Sequence, residues 1–224
     1  MKHTDREFEA ELSALRERIL RMAGRVERMI ALAVRAFMTR DDALAATTIL
    51  LDDEVNTDEV EIDETCLAIL ARRQPLASDL RFIALALKMV TDLERIGDLA
   101  VNVCERAIAI VKEPPMAWTG AELMAEATQA MLKQAMDALV TRDAARARAV
   151  IDCDEEVDEL YHRALPELFR MMSRSPELLQ SGLHCQAVAK HLERIGDHAT
   201  NIAEEVVYMV EATDIRHAGR RAKP

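Results

Sequence analysis

The hexapeptide LERIGD occupies residues 93–98 and returns at residues 192–197, so each copy sets a glutamate four residues before an aspartate. A helix advances each residue by roughly 100°, which leaves Glu94 and Asp98, and likewise Glu193 and Asp197, roughly 40° apart on one face. Asn102 and Glu105 lie close to that face in the first copy, and Asn201 stands at the matching place in the second. Carboxylates so placed repel by a few tenths of a kcal/mol unless something neutralises them. Two chemistries fit: a cation held between paired oxygens, or a solvated face with Arg95 alongside. Each copy also contains a glycine, Gly97 or Gly196, at a cost of about 1 kcal/mol against alanine in a helix interior.

The segments upstream carry a second set of acids. Taken as a helix, residues 52–70 place Val55, Ile62, Cys66, Leu67 and Leu70 within roughly 80° of Asp52. Asp52, Asn56, Glu59 and Asp63 fall inside that apolar stripe, while Glu54, Asp58, Glu61 and Glu64 fall outside it. In the second half Val150, Val157, Tyr161, Leu165 and Leu168 define the stripe, with Asp154 and Asp158 inside it. An ionised carboxylate facing an apolar seam is costly unless it is paired or bound to a metal. Oxygen-rich clusters suit Mg, Ca, Mn, iron or zinc; the plainer alternative is an Arg or Lys from the neighbouring helix. If these helices lie antiparallel to the LERIGD helices, Asp52 and Asn56 face Glu94 and Asp98, and Asp154 and Asp158 face Glu193 and Asp197. The glycines then give clearance for an adjacent helix or an ion, although close packing without a ligand predicts the same residue.

Helical periodicity supplies the elements that would position these groups. Leu12, Leu15, Ile19, Met22, Val26, Met29, Ala33 and Phe37 form one seam in steps of three and four. TRDDALA at 39–45 then breaks the pattern, with Asp41 placed to cap a new helix. No Gly or Pro occurs from there to Arg73, which predicts one unbroken helix closed by Pro75. A third helix is expected from about Ser78 to Val111, and KEPPMAWTG at 112–120 reads as a linker. The second half repeats the order, with TRDAARA at an offset of 102 residues and LERIGD at an offset of 99. Its helices are expected at about Ala121–Val140, onward to about Ser173, and then to about Val210. The expected fold is all-α, two tandem three-helix bundles formed by residues 1–112 and 121–211, with a linker at 113–120 and a polar tail at 212–224.

Composition narrows the function. The chain is 50% hydrophobic but only 3% aromatic, a helical palette, and its net charge of −11 disfavours nucleic acid as the main ligand. Cations or basic protein patches suit it better. No signal-peptide-like or membrane-spanning apolar run is present, and the four cysteines form no CxxC pair. These features lead to the expectation of a cytoplasmic protein with reduced thiols in its core. No Gly-rich phosphate loop and no Ser-His-Asp order supports a nucleotide hydrolase or acyl-transfer enzyme. Carboxylate-bridged metalloenzymes take two Glu-x-x-His motifs. Only Glu159–His162 fits that pattern here, with Glu159 roughly 140° away from Asp154. His191 and His198 flank the second LERIGD without counterparts in the first, and they read as surface or supporting groups.

RRQPLASDLR at 72–81, the LERIGD pair, and the acidic segments at 52–56 and 154–158 together resemble the PhoU family of bacterial phosphate-specific transport. The resemblance runs from about residue 8 to 211. It implies two three-helix bundles with E(D)xxxD motifs that bind multinuclear iron or zinc in some members, other divalent cations being open. Carried onto this chain, the motifs are Glu94 with Asp98, Glu193 with Asp197, and Asp154 with Asp158. Asp52 is followed by Asn56 where an acid would complete the pattern, although an asparagine carbonyl can also ligate. The resemblance further implies a regulator rather than an enzyme. Such a regulator links the transporter's ATPase subunit to a sensor histidine kinase and keeps phosphate-starvation genes off when phosphate is plentiful. The resemblance also implies a cytoplasmic protein, peripheral to the membrane only through protein partners and, as often in the family, homo-oligomeric (a homodimer is expected here). The residues alone leave open a helical metal-binding scaffold or a metalloenzyme unrelated to phosphate.

Overall fold

Each half of the chain changes direction at a Thr-Arg-Asp triplet. In the computed structural model, which describes residues 2–215 and the side chains of 6–215, Arg40 and Arg142 adopt the left-handed conformation at φ 56° and 52°. The next amide reaches back to the carbonyl of Ala36 at 2.9 Å, or of Ala138 at 3.1 Å, and closes the helix in a Schellman-type turn. Asp41 and Asp143 then cap the following helices, accepting from the amides of Leu44 at 2.8 Å and Arg146 at 3.0 Å. A side chain in the left-handed region costs roughly 1–2 kcal/mol. At Arg40 that cost is offset, because its guanidinium donates to the carbonyls of Ile110, Val111 and Glu113 at 2.5, 3.1 and 2.5 Å.

The helices are α1 (Lys2–Thr39), α2 (Asp42–Ile49), α3 (Asp52–Arg73), α4 (Ala77–Ile110), α5 (Gly120–Thr141), α6 (Ala144–Arg174) and α7 (Leu179–Glu211). A 3-10 turn at Pro176–Leu178 leads into α7, and no strand occurs among the described residues. The single helix expected from Asp41 to Arg73 is therefore kinked into α2 and α3. Leu50 and Leu51 stay in the right-handed region, so the break is a tightened turn rather than a loop. Thr47 and Thr48 both donate their hydroxyls to the carbonyl of Leu44, at 2.9 and 2.8 Å. Such back-bonding bends helices. The matching positions in the second half are Ala149 and Val150, and α6 runs unbroken.

α1, α2–α3 and α4 form one three-helix bundle, and α5, α6 and α7 form the second. α4 also packs along α7 and α1 along α5, so the bundles lie side by side over one continuous core. Leu93, Ile96, Leu192 and Ile195, the apolar letters of the two hexapeptides, are all fully buried. The connection between α4 and α5 is pinned rather than loose. Trp118 is buried, and the Ser181 hydroxyl donates to the carbonyl of Pro114 at 2.5 Å. Cys66, Cys104 and Cys185 are buried free thiols pushed up to about 12 by burial, which keeps them protonated and unreactive. Of the expected polar tail, residues 216–224 lie outside the described residues.

The buried stripe of α3 differs in phase from expectation. It comprises Val55, Asp58, Ile62, Cys66 and Ile69, while Leu67 is exposed. Asp58, expected on the outer face, is buried and accepts a hydrogen bond from Arg25 of α1. The buried Asp58 thus has a cation from a neighbouring helix.

Candidate metal centre

α3 crosses α4 at Gly97. A Cβ built on that glycine would stand 3.2 Å from Asp52 Oδ1 and 3.4 Å from Val55 Cγ1, so the missing side chain is what admits the acid. Asp52 Oδ1 is buried without a hydrogen-bond partner. Its other oxygen accepts from Asn56 Nδ2 at 3.0 Å. Burial pushes the Asp52 carboxyl above its ordinary range; the Asn56 hydrogen bond opposes this, and the charges of Asp98 and Asp53 add to it. Glu94 is raised by burial and by Asp98, with Glu59 and Asp52 contributing and Arg95 opposing. Glu59 is raised in turn by burial, Asp63 and Asp98, and Asp63 by burial alone. Glu59 therefore belongs to this cluster. The apolar-stripe pattern contained it, but no family motif singled it out.

The second repeat reproduces the crossing. A Cβ on Gly196 would lie 3.3 Å from Val157 Cγ1 and 3.7 Å from Asp154 Oδ1. Asp154 is pushed up to about 6, first by burial and then by the charges of Asp197 and Asp158, with the Thr200 hydroxyl opposing and Glu193 adding. Asp197 rises through desolvation and Glu193. One exchange separates the repeats: the amide of Asn56 holds Asp52, whereas Asp158 repels Asp154. Another exchange puts Tyr161 and Lys190 where the first repeat has Glu59 and Thr91. Lys190 contacts both oxygens of Glu193 at 2.7 and 2.6 Å and lies 5.2 Å from the Tyr161 ring centre.

The ion pairs of Glu94, Asp98 and Glu193 therefore come from Arg95 and Lys190 on the acids' own helices. Arg95 stands 3.5 Å from Glu94 and 3.3 Å from Asp98, but it is itself more than half exposed. Exposed pairs of this kind contribute about 0–1 kcal/mol. Among the described residues they leave Asp52 and Asp154 without a cation. Asn102 is half-buried beyond Asp98, whereas Asn201 turns away from Asp197 and donates to Asp92 Oδ1 at 3.2 Å. The same oxygen meets His198 Nδ1 at 2.7 Å, a contact that ties α4 to α7. His191 is half-buried rather than a surface group, with Nδ1 unpartnered and its pKa pushed down by burial. Glu159 and His162 are both exposed.

Both patches offer carboxylate and amide oxygens, the donor set of hard and borderline cations. The orphaned Asp52 oxygen and the raised carboxyls fit such an ion. Among the described residues, however, no three His, Cys, Asp or Glu side chains converge in a ready-made metal site. The patches are thus open half-sites whose side chains would have to swing inward around an ion.

The duplicated helices coincide with two matches to the PhoU domain, at residues 19–107 and 121–206. The chain belongs to the PhoU family. It is 43% identical over 219 residues to a Pseudomonas aeruginosa phosphate-specific transport system accessory protein PhoU homolog, covering 97% of this chain and 90% of that one. Against the phosphate-specific transport system accessory protein PhoU of Escherichia coli K12 the identity is 35%, covering 97% and 91%. The crystal structure of PhoU from Pseudomonas aeruginosa superposes with a TM-score of 0.87 at 43% identity, over 92% of this chain and 100% of that one. The phosphate transport system regulatory protein PhoU from Streptococcus pneumoniae gives the same TM-score at 28% identity, over 92% and 98%. The PhoU-family assignment accounts for both repeats at once.

Proposed function

We propose that this chain regulates phosphate uptake and phosphate-starvation signalling. It couples the ATPase subunit of a phosphate-specific transporter to a sensor histidine kinase and holds the response off when phosphate is plentiful. The observation that carries this reading is the double PhoU-domain match together with relatives that are accessory proteins of phosphate transport. The protein acts by binding rather than by catalysis, in the cytoplasm and as a homo-oligomer, and reaches the membrane through its partners. No helix of the described residues is long and apolar enough to cross a membrane. Exposed apolar side chains at corresponding ends of the repeats, Leu67 and Leu80 in one and Phe169 and Leu179 in the other, supply surfaces for protein partners.

In this reading Asp52, Asn56, Glu94, Asp98 and Asn102 hold one cation group, and Asp154, Asp158, Glu193 and Asp197 hold the other, Asn201 being engaged by Asp92 instead. Iron or zinc there supplies the positive charge the seams lack and cross-links α3 to α4 and α6 to α7. The absence of a ready-made site among the described residues favours a second reading, in which the acidic faces meet a basic patch on a partner.

A deletion strain with no second copy, carrying a phosphate-starvation reporter, tests the regulatory role. Reporter expression in rich phosphate, silenced by the restored chain, is expected. Normal repression in the deletion strain would sink the proposal.

A further inference from the structure

Three arginines from separate parts of the chain converge away from the acidic seams. Arg16 of α1 and Arg142, between α5 and α6, line a cavity of about 420 Å³ together with Phe8, Leu12, Ser13 and Asp79. Arg142 also lines a second cavity of about 140 Å³ with Ser78, Arg81 and Phe82, so one residue borders both spaces. The Arg16 guanidinium sits 5.0 Å from the centre of the Phe82 ring. Nε of Arg16 and Nε of Arg81 are both buried without a hydrogen-bond partner.

In a chain of net charge −11, guanidiniums without acids call for an explanation. Glu9 and Asp79 face the larger cavity, yet none of the three arginines makes an ion pair with a described residue. Burial, and then the charge of Arg142, push the Arg16 pKa down, so the two positive charges act on each other. Arg40, the counterpart of Arg142 in the first repeat, is occupied by three carbonyls at the end of α4. Arg142 makes no such contact with a described residue. The N-terminus of α4 adds to the field, because its N-cap, Leu76, offers no side-chain cap to the first-turn amides.

We propose that this cleft binds a phosphate group, either free inorganic phosphate or the terminal phosphate of a nucleotide. Three arginines from separate parts of the chain, bordering two cavities that share Arg142 beside a helix N-terminus, suit a dianion with several oxygens better than a planar carboxylate. The cleft is separate from the cation seams: Arg81 precedes Glu94 by 13 residues on α4, roughly 20 Å at 1.5 Å per residue. It therefore stands or falls independently of the regulatory reading.

Calorimetric titration of the full chain at low salt with inorganic phosphate, and separately with metal-free ATP, tests the proposal. Saturable binding of at least one of them is expected, and the two arms identify its source. Arg142→Gln and Arg81→Gln are expected to weaken it at least tenfold, and Arg28→Gln, an exposed arginine elsewhere on α1, to leave it unchanged. Arg142 is exposed, so its variant decides the matter even where Arg81→Gln fails to fold. Absence of saturable binding in both arms, or binding indifferent to Arg142→Gln, would overturn the proposal.

Discussion

Gly97 and Asp52 are matched across the α3–α4 crossing, since any Cβ on the glycine would come within 3.2 Å of Asp52 Oδ1. Gly97→Ala gains about 1 kcal/mol of helix propensity and displaces the carboxylate. The variant is expected to unfold near the wild-type temperature while losing divalent-cation affinity on the order of tenfold. Gly196→Ala, whose Cβ would stand 3.7 Å from Asp154 Oδ1, is expected to lose less. Calorimetric unfolding and cation titration of both variants check this. Equal affinity in both variants and wild type would assign the glycines to packing alone.

The pH dependence has a definite sign. Asp154 titrates at about 6 in the folded chain against an ordinary 3.8, so the folded state holds this proton more tightly than the unfolded state does. Asp154 therefore favours folding below about pH 4, and that advantage is lost as pH rises to about 6. In cation-free buffer Asp154→Asn is expected to become progressively more stable than wild type over that window, measured by urea midpoints. A gap that does not change with pH would contradict the burial of an unneutralised acid.

Asn56 and Asp158 account for the asymmetry between the repeats. Asn56→Asp replaces a donor to Asp52 with a like charge, and Asp158→Asn does the reverse beside Asp154. The first is expected to lower stability without cations and to strengthen cation binding, and the second to bring the Asp154 pKa down from about 6. Carboxyl NMR titration of the second variant, paired with cation titration of the first, reads both effects.

Arg40 and Arg142 occupy equivalent turns with unequal burdens. Arg40→Ala removes a charged donor from three carbonyls and is expected to cost about 2 kcal/mol. Arg142→Ala is expected to cost less than about 0.5 kcal/mol. Denaturant unfolding of the two variants gives the comparison, and similar losses would remove the distinction drawn between them.

Much of this was legible in residue order. The Thr-Arg-Asp triplets, the repeated hexapeptides and the prolines placed the helices, and acids within a hydrophobic stripe marked the seams. The α2–α3 kink was not legible, because it depends on two threonine hydroxyls competing for one carbonyl of Leu44. Downstream of that kink the buried face centres on Val55 and Asp58 rather than on Asp52, which moves Leu67 outward and brings Asp58 against Arg25. Arg95 and Lys190 were near the acids in sequence, but only side-chain geometry shows that they pair with the outer carboxylates and leave Asp52 and Asp154 alone. The arginine cleft carries no sequence signal, since Arg16, Arg81 and Arg142 lie far apart in the chain and only folding brings them together.

Divalent-cation titration of chelator-stripped protein, with iron(II), zinc and manganese in separate arms, bears most directly on the acidic seams. The account predicts saturable binding and a cation-dependent rise in unfolding temperature, both lost in Asp154→Ala/Asp158→Ala for the second repeat and in Asp52→Ala/Glu94→Ala for the first. Binding of none of these ions, or binding that survives all four substitutions, would contradict it.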